Sequence, residues 1–229
     1  MGNSRLGELD GTGDAMVEFT HRQEAGRRLA EALSAYQDRD DVVVLGLPRG
    51  GVPVAFEVAR ALRAPLDVFL VRKLGVPGNP ELAMGAIASG DVRVLNEGVV
   101  RRMRISDDAI ERVTEREREK LENREQIYRG ARPEVDLTGK TVLLVDDGLA
   151  TGATMRAAVD ALRQRDPRKI VVAVPTAPPE TCSEFEDVVD DMVCVTTPRP
   201  FFGVGGAYRD FSQTTNDEVR DFLERANPF

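Results

Sequence analysis

Two adjacent carboxylates, Asp146 and Asp147, close an apolar run and are followed by Gly148, Leu149 and the small-residue string Ala150, Thr151, Gly152, Ala153, Thr154. Small residues let backbone N–H groups approach an anion closely. Thr151 and Thr154 add hydroxyl donors, and a helix opening at this point adds favourable dipole charge. Carboxylates repel phosphate but accept hydrogen bonds from vicinal hydroxyls. A phosphorylated sugar satisfies both halves at once. No Gly-Lys-Ser/Thr follows the glycines, so the string is not a P-loop, and it lacks the GxGxxG spacing of a dinucleotide site. An Asp-Asp pair alone is as readily structural; the whole string over residues 142–154 makes the pattern specific.

Other groups carry weaker signals. Pro48-Arg49-Gly50-Gly51 follows another short apolar run and opens a helix, though alone such a turn reads first as structural. Arg72-Lys73 closes an apolar run and enters the Gly/Pro-rich stretch KLGVPGNPELAMG, which by itself reads as a basic strand terminus followed by a mobile surface loop. The segment PRPFFGVGGAYRDF sets Phe201, Phe202 and Tyr208 among glycines. Aromatic faces beside exposed amides suit a planar base, and equally a loop pinned to the core. Glu81, the one acid of the Gly/Pro-rich stretch, reads as a loop charge, and His21, the only histidine, as a packing or surface residue of an amphipathic helix.

The elements that must hold these residues follow from periodicity. Continuous apolar runs at 42–47, 66–71, 141–145, 170–175 and 188–195 read as strands buried on both faces, with shorter β-like runs at 84–88 and 92–95. Helical spacing appears at 20–37, 51–63, 153–165, 179–186 and 214–225. Ser106 can cap a long charged helix over 107–128 whose apolar stripe is Ile110, Val113, Leu121 and Tyr128, most simply a solvated helix held on one side. Residues 72–82 read as a loop. Strands alternating with helices predict α/β architecture, a parallel β-sheet core flanked by helices, in a single domain over 19–229. Residues 1–18, rich in Gly and Asp and without a period, read as a disordered leader.

Composition sets the outer bounds. A chain of 229 residues, 41% hydrophobic and 31% charged, is an ordinary globular domain. No apolar run approaches the roughly 20 residues of a membrane span, and no secretory pattern opens the chain, so a cytoplasmic location is the default expectation. Cys182 and Cys194 make neither a disulfide framework nor a metal quartet. A net charge of −8 argues against general nucleic-acid binding, with Arg101, Arg102 and Arg104 the one basic cluster to weigh on the other side.

The string at 142–154 resembles the signature of the type I phosphoribosyltransferase family, with agreement at every diagnostic position. The resemblance implies that family's fold, with a flexible hood loop and here a helical insertion at about 106–130. It implies that Asp146 and Asp147 hold the ribose hydroxyls of 5-phosphoribosyl 1-pyrophosphate, and that Gly148 and residues Ala150 to Thr154 belong to the sugar-phosphate site. Pro48, Arg49, Gly50 and Gly51 then look like the pyrophosphate loop, with Arg49 bonding phosphate oxygens in pairs. Arg72 and Lys73 occupy the place of hood residues that attend the leaving group, and Phe201, Phe202 and Tyr208 that of a base pocket. Glu81 has a parallel in the hood acid of adenine-specific members.

By the same resemblance Mg²⁺ is the cofactor, carried by the donor's oxygens and water rather than by a protein cage. The partners are the sugar pyrophosphate and a nitrogenous base, with no membrane, no nucleic acid, and a homodimer left open. Ala150 stands where 6-oxopurine members carry Asp, which weakens a hypoxanthine or guanine assignment. The chain is similar from about Phe19 onward to bacterial and archaeal members without an assigned substrate. The rival expectation is a regulator that senses the sugar pyrophosphate and binds nucleic acid.

Overall fold

The computed structural model describes residues 18–130 and 132–226, so the expected leader lies outside the described residues except for Glu18. The chain runs α1 (Arg22–Ala32), β1 (Val42–Gly46), α2 (Gly51–Leu62) and β2 (Leu66–Val68). It continues through β3 (Val71–Val76), β4 (Asn79–Ala88), β5 (Val92–Leu95), α3 (Glu97–Met103) and α4 (Asp107–Arg129). The second half alternates: β6 (Thr141–Val145), α5 (Ala153–Arg163), β7 (Lys169–Thr176), α6 (Pro179–Glu186), β8 (Asp191–Thr196) and α7 (Asn216–Ala226).

Five strands form one parallel sheet in the order β2-β1-β6-β7-β8. The apolar runs of β1 and β6 are buried at every position because both faces are covered. Val42, Val44, Leu143 and Val145 face a core shared with α2, α4 and α7, whereas Val43, Leu45, Val142 and Leu144 face one shared with α5 and α6. From β1 the chain crosses to β2 on one side; from β6 it proceeds to β7 and β8 on the other. The sheet therefore has its topological switch point between β1 and β6, where open α/β sheets leave a crevice at the strands' carboxyl ends.

The stretch read as a loop over 72–82 is ordered differently. β3, β4 and β5 form a second, antiparallel sheet of three strands. Gly78, at φ +80°, makes the turn after Pro77, the position a type II turn gives to glycine. The strand expected over 66–71 is thus two strands in two sheets. The α3 helix was not expected at all. The helix read over 20–37 ends at Ala32 and is followed by a 3₁₀ turn at Ser34–Tyr36. His21 is not inside a helix: it caps α1, its Nδ1 accepting from the Glu24 amide at 3.3 Å.

The helical insertion is a single helix, α4, capped by Ser106 and burying Ile110, Val113, Leu121 and Tyr128 as its stripe predicts. Its C-terminal Arg129 reaches edge strand β2, donating to both Asp67 carboxylate oxygens at 3.0 Å and to the Val68 carbonyl at 2.8 Å. Among the described residues no helix is long and apolar enough to cross a membrane.

Candidate active site

The loops that leave the carboxyl ends of β1 and β6 meet at the switch point. Gly46 and Val145, the last residues of these strands, are paired, and the Leu47 amide donates to the Val145 carbonyl at 2.9 Å. The Pro48–Arg49 peptide is cis. Gly50 and Gly51 are glycines for want of room: a Cβ on Gly50 would overlap the Asp147 carboxylate, and one on Gly51 would lie 2.7 Å from the Val145 carbonyl oxygen. The loop carrying Pro48, Arg49, Gly50 and Gly51 therefore interlocks with the loop carrying Asp146 and Asp147. Arg49 makes no ion pair among the described residues, which leaves its guanidinium open to an anion.

Past Asp147, Gly148 is buried and packs so tightly that a Cβ would meet Val204 and Thr176. The Leu149 amide donates to the Thr176 carbonyl, and the Ala150 carbonyl accepts from Thr181 Oγ1 at 2.9 Å. Gly152 precedes α5 at φ +70°, and the Phe185 ring fills the space a side chain would need. These contacts tie the underside of the loop to β7 and α6. The outer side is open: Ala150, Thr151, Ala153 and Thr154 are exposed, and no side chain caps α5. First-turn amides without intrahelical partners and two hydroxyls face outward beside a helix N-terminus, an anion cradle by chemistry.

Electrostatics mark the two carboxylates. Burial, then the neighbouring Asp147 charge, pushes Asp146 well above the ordinary carboxylate range, although its Oδ1 accepts from the Asp147 amide at 2.8 Å. Burial also raises Asp147, opposed by Arg22, whose Nε donates to Asp147 Oδ2 at 2.8 Å. Arg22 opens α1 and was missed by sequence reasoning; one arginine in a helical first turn, 125 residues away, carries no local signal. Tyr208 donates its hydroxyl to the Asp147 carbonyl at 2.6 Å. Among the described residues no group of three or more His, Cys, Asp or Glu could hold a metal ion.

The remaining expected residues divide. Arg72 does not face the crevice freely: its Nε and Nη2 both donate to Glu117 Oε2 on α4, at 2.9 and 2.5 Å, in a half-buried pair. Arg72 thereby anchors β3 to α4. Lys73 is exposed, across the hairpin from Glu81, whose carbonyl it meets at 3.2 Å. The Glu81 side chain is 92% exposed and held only loosely by that lysine at 3.5 Å. Phe202 is 71% exposed and Phe201 half-buried. Tyr208 is buried, its ring 5.5 Å from Phe19 and 5.2 Å from Phe211, so it offers no face to a planar base. Its place is beneath Asp147.

The chain belongs to the phosphoribosyl transferase domain family, whose model matches residues 18–209. Two relatives from Mycobacterium tuberculosis, strains CDC 1551 and H37Rv, carry the name phosphoribosyl transferase and are each 49% identical over 212 residues. That alignment takes in 93% of this chain but 48% of theirs, so the chain spans about half the length of those relatives. A crystal structure of the protein TT1426 from Thermus thermophilus matches with a TM-score of 0.81 and 44% identity, covering 91% of this chain and 98% of that one. A shorter likeness, 50% identical over 42 residues (18% of this chain and 24% of that one), is to the bifunctional protein PyrR of Actinobacillus pleuropneumoniae.

Proposed function

We propose that this chain is a phosphoribosyltransferase that takes 5-phosphoribosyl 1-pyrophosphate, transfers its ribosyl group to a nitrogen of a heterocyclic base and releases pyrophosphate. The observation that carries the reading is the interlock of the two loops at the switch point, with Gly50 set against the Asp147 carboxylate. A ligand that spans both loops needs an anion at each end and hydroxyls between them, which describes this donor.

In this reading Asp146 and Asp147 accept hydrogen bonds from the ribose hydroxyls, while the amides and hydroxyls of Ala150 to Thr154 hold the 5-phosphate. The amides of Gly50 and Gly51 and the Arg49 guanidinium hold the pyrophosphate, and Lys73 reaches it when the hairpin of β3 and β4 closes. Mg²⁺ carried in with the donor would supply charge neutralisation at the leaving group. The bond from C1 to the pyrophosphate oxygen breaks, and the base nitrogen forms its bond to C1 from the opposite face. The transition state resembles a sugar cation, so the protein's task is to position reactants, exclude water and stabilise departing negative charge. The exposed face of Phe202 suits stacking on a planar base, purine before pyrimidine, and Ala150 disfavours the 6-oxopurines.

The test is pyrophosphate release from the sugar donor with Mg²⁺ across a panel of purines, pyrimidines and related heterocycles. Release dependent on one base class supports the reading; no release with any of them refutes it for those acceptors. A second reading, a donor-sensing protein that binds nucleic acid, rests on Arg101, Arg102 and Arg104, all exposed and without ion pairs among the described residues. RNA or DNA retention that responds to the donor, without pyrophosphate release, would favour it.

A further inference from the structure

Asp147 is gripped from outside its own loop. Arg22 Nε donates to Asp147 Oδ2 at 2.8 Å and its Nη1 to the Ser212 carbonyl at 2.6 Å. The guanidinium lies 4.0 Å over the Phe211 ring, which stacks in turn on Tyr208, and Tyr208 donates to the Asp147 carbonyl. Side-chain exposures of 11% for Arg22 and 14% for Asp147 separate this pair from an ordinary surface bridge, which water and salt would weaken. Both donors meet one residue, the side chain from α1 and the backbone from the segment after β8. Between them is a planar ring that leaves the guanidinium little freedom to turn.

The clamp stands where the two loops meet. Asp147 Oδ2, the oxygen bound by Arg22, is also the atom a Gly50 Cβ would strike, and Arg22 Nε lies 3.3 Å from that same point. A rotation of the Asp147 carboxylate toward Gly50 is blocked by backbone, and one away from it breaks the bond to Arg22.

We propose that Arg22 is a positioning residue for the donor site: seated on Phe211, it fixes one oxygen of Asp147 and leaves the other aimed at the ribose hydroxyls. The role rests on the reading of the site as a sugar-pyrophosphate site. The arginine acts through Asp147 and needs no contact with the substrate. The charged and titratable groups facing Asp147 are Arg22 from α1, Asp146 from its own loop and the Tyr208 hydroxyl from the segment after β8. Asp210 in turn feels the charge of Arg22. Of these only Arg22 favours the ionised carboxylate, since Asp146 opposes it and burial raises the tyrosine far out of range.

The consequence is a pH dependence of donor binding that moves to higher pH when the arginine is removed. Without the cation, Asp147 takes up a proton at a higher pH, and donor affinity falls by up to about tenfold per pH unit below the new midpoint. Donor affinity is measured by calorimetry from pH 5.5 to 8.5 for the wild type, Arg22→Lys and Arg22→Met, with Arg22→Gln replacing Arg22→Met should the latter not fold. Carbon-13 NMR of the aspartate carboxylates in the free proteins follows the titration of Asp147 without any ligand. The expected result is a raised Asp147 midpoint and a steep loss of affinity at low pH in Arg22→Met, with Arg22→Lys close to wild type in both. An unchanged midpoint, or a loss in Arg22→Met equal at pH 6 and pH 8.5, overturns the proposal. A wild type that binds no donor at any pH refutes the donor-site reading, and with it the donor-positioning role, while a raised midpoint in Arg22→Met keeps only the control of Asp147 ionisation.

Discussion

Asp146 and Asp147 sit where the surrounding protein disfavours their charge. Burial, and for Asp146 its neighbour's charge, raise both above the ordinary carboxylate value of about 3.9. The folded state then binds protons more tightly than the unfolded chain, so the carboxylates' contribution to stability is greatest below the unfolded value and is lost as pH rises through the raised ones. Asp146→Asn should therefore make the ligand-free protein more stable at pH 7, by about 0.5–2 kcal/mol, while destroying donor binding. Thermal unfolding at pH 5 and pH 7 checks the sign: the gain should be larger at pH 7, and a variant less stable than wild type there would contradict the assignment. Gly50→Ala makes the complementary point. The added methyl group must displace the Asp147 carboxylate or the loop, costing about 1–3 kcal/mol of stability together with donor affinity. Calorimetry that found donor affinity intact in Gly50→Ala would show that the two loops do not share a ligand.

At the scale of elements, the parallel strands were legible because burial on both faces leaves a continuous apolar run, as at residues 141–145. The second sheet was not, since its glycines and prolines read as a loop. Those residues serve pairing instead: a Cβ on Gly85 would overlap the Val94 carbonyl oxygen, and Gly75 lies against Pro80 where the β3–β4 register shifts. The hairpin is secured by Arg72 on Glu117, while Lys73 is exposed and reaches across the hairpin to Glu81. Lys73→Met should lower turnover at least about tenfold while leaving stability within about 0.5 kcal/mol, as befits an exposed side chain. Steady-state kinetics beside a denaturant titration separates the two; equal losses in both would return Lys73 to a structural role. Arg129 makes the opposite case. It and Asp67 are 9% and 8% exposed, so Arg129→Ala strands a buried carboxylate and should cost about 3–5 kcal/mol in urea unfolding. A change below about 1 kcal/mol would mean that α4 is held by its apolar stripe alone.

Across the whole molecule, the site is assembled from contacts far apart in sequence. The loop at 142–154 stands out in the sequence because one continuous string carries both the carboxylates and the small residues that open α5. Arg22 does not, since its meaning comes from a partner 125 residues on, and the packing of Tyr208 leaves no local sign, because an aromatic among glycines reads alike whether it faces a ligand or packs under a loop. In the proposed reading the segment after β8 divides accordingly, with Tyr208 and Phe211 packed beneath Asp147 and the exposed Phe202 ring left for the acceptor. Phe202→Ala should raise the KM for the base by about three- to tenfold without changing that for the donor, the size of a lost aromatic contact; a change in donor KM alone would assign the ring elsewhere. The central claim, that the two loops at the switch point form one site for the sugar pyrophosphate, is tested most directly by calorimetric titration of 5-phosphoribosyl 1-pyrophosphate into the protein with Mg²⁺ present. The account predicts saturable one-to-one binding, with a dissociation constant between about 1 μM and 1 mM, competed by pyrophosphate and by ribose 5-phosphate alike. Absence of saturable binding, or competition by only one of the two fragments, would contradict it.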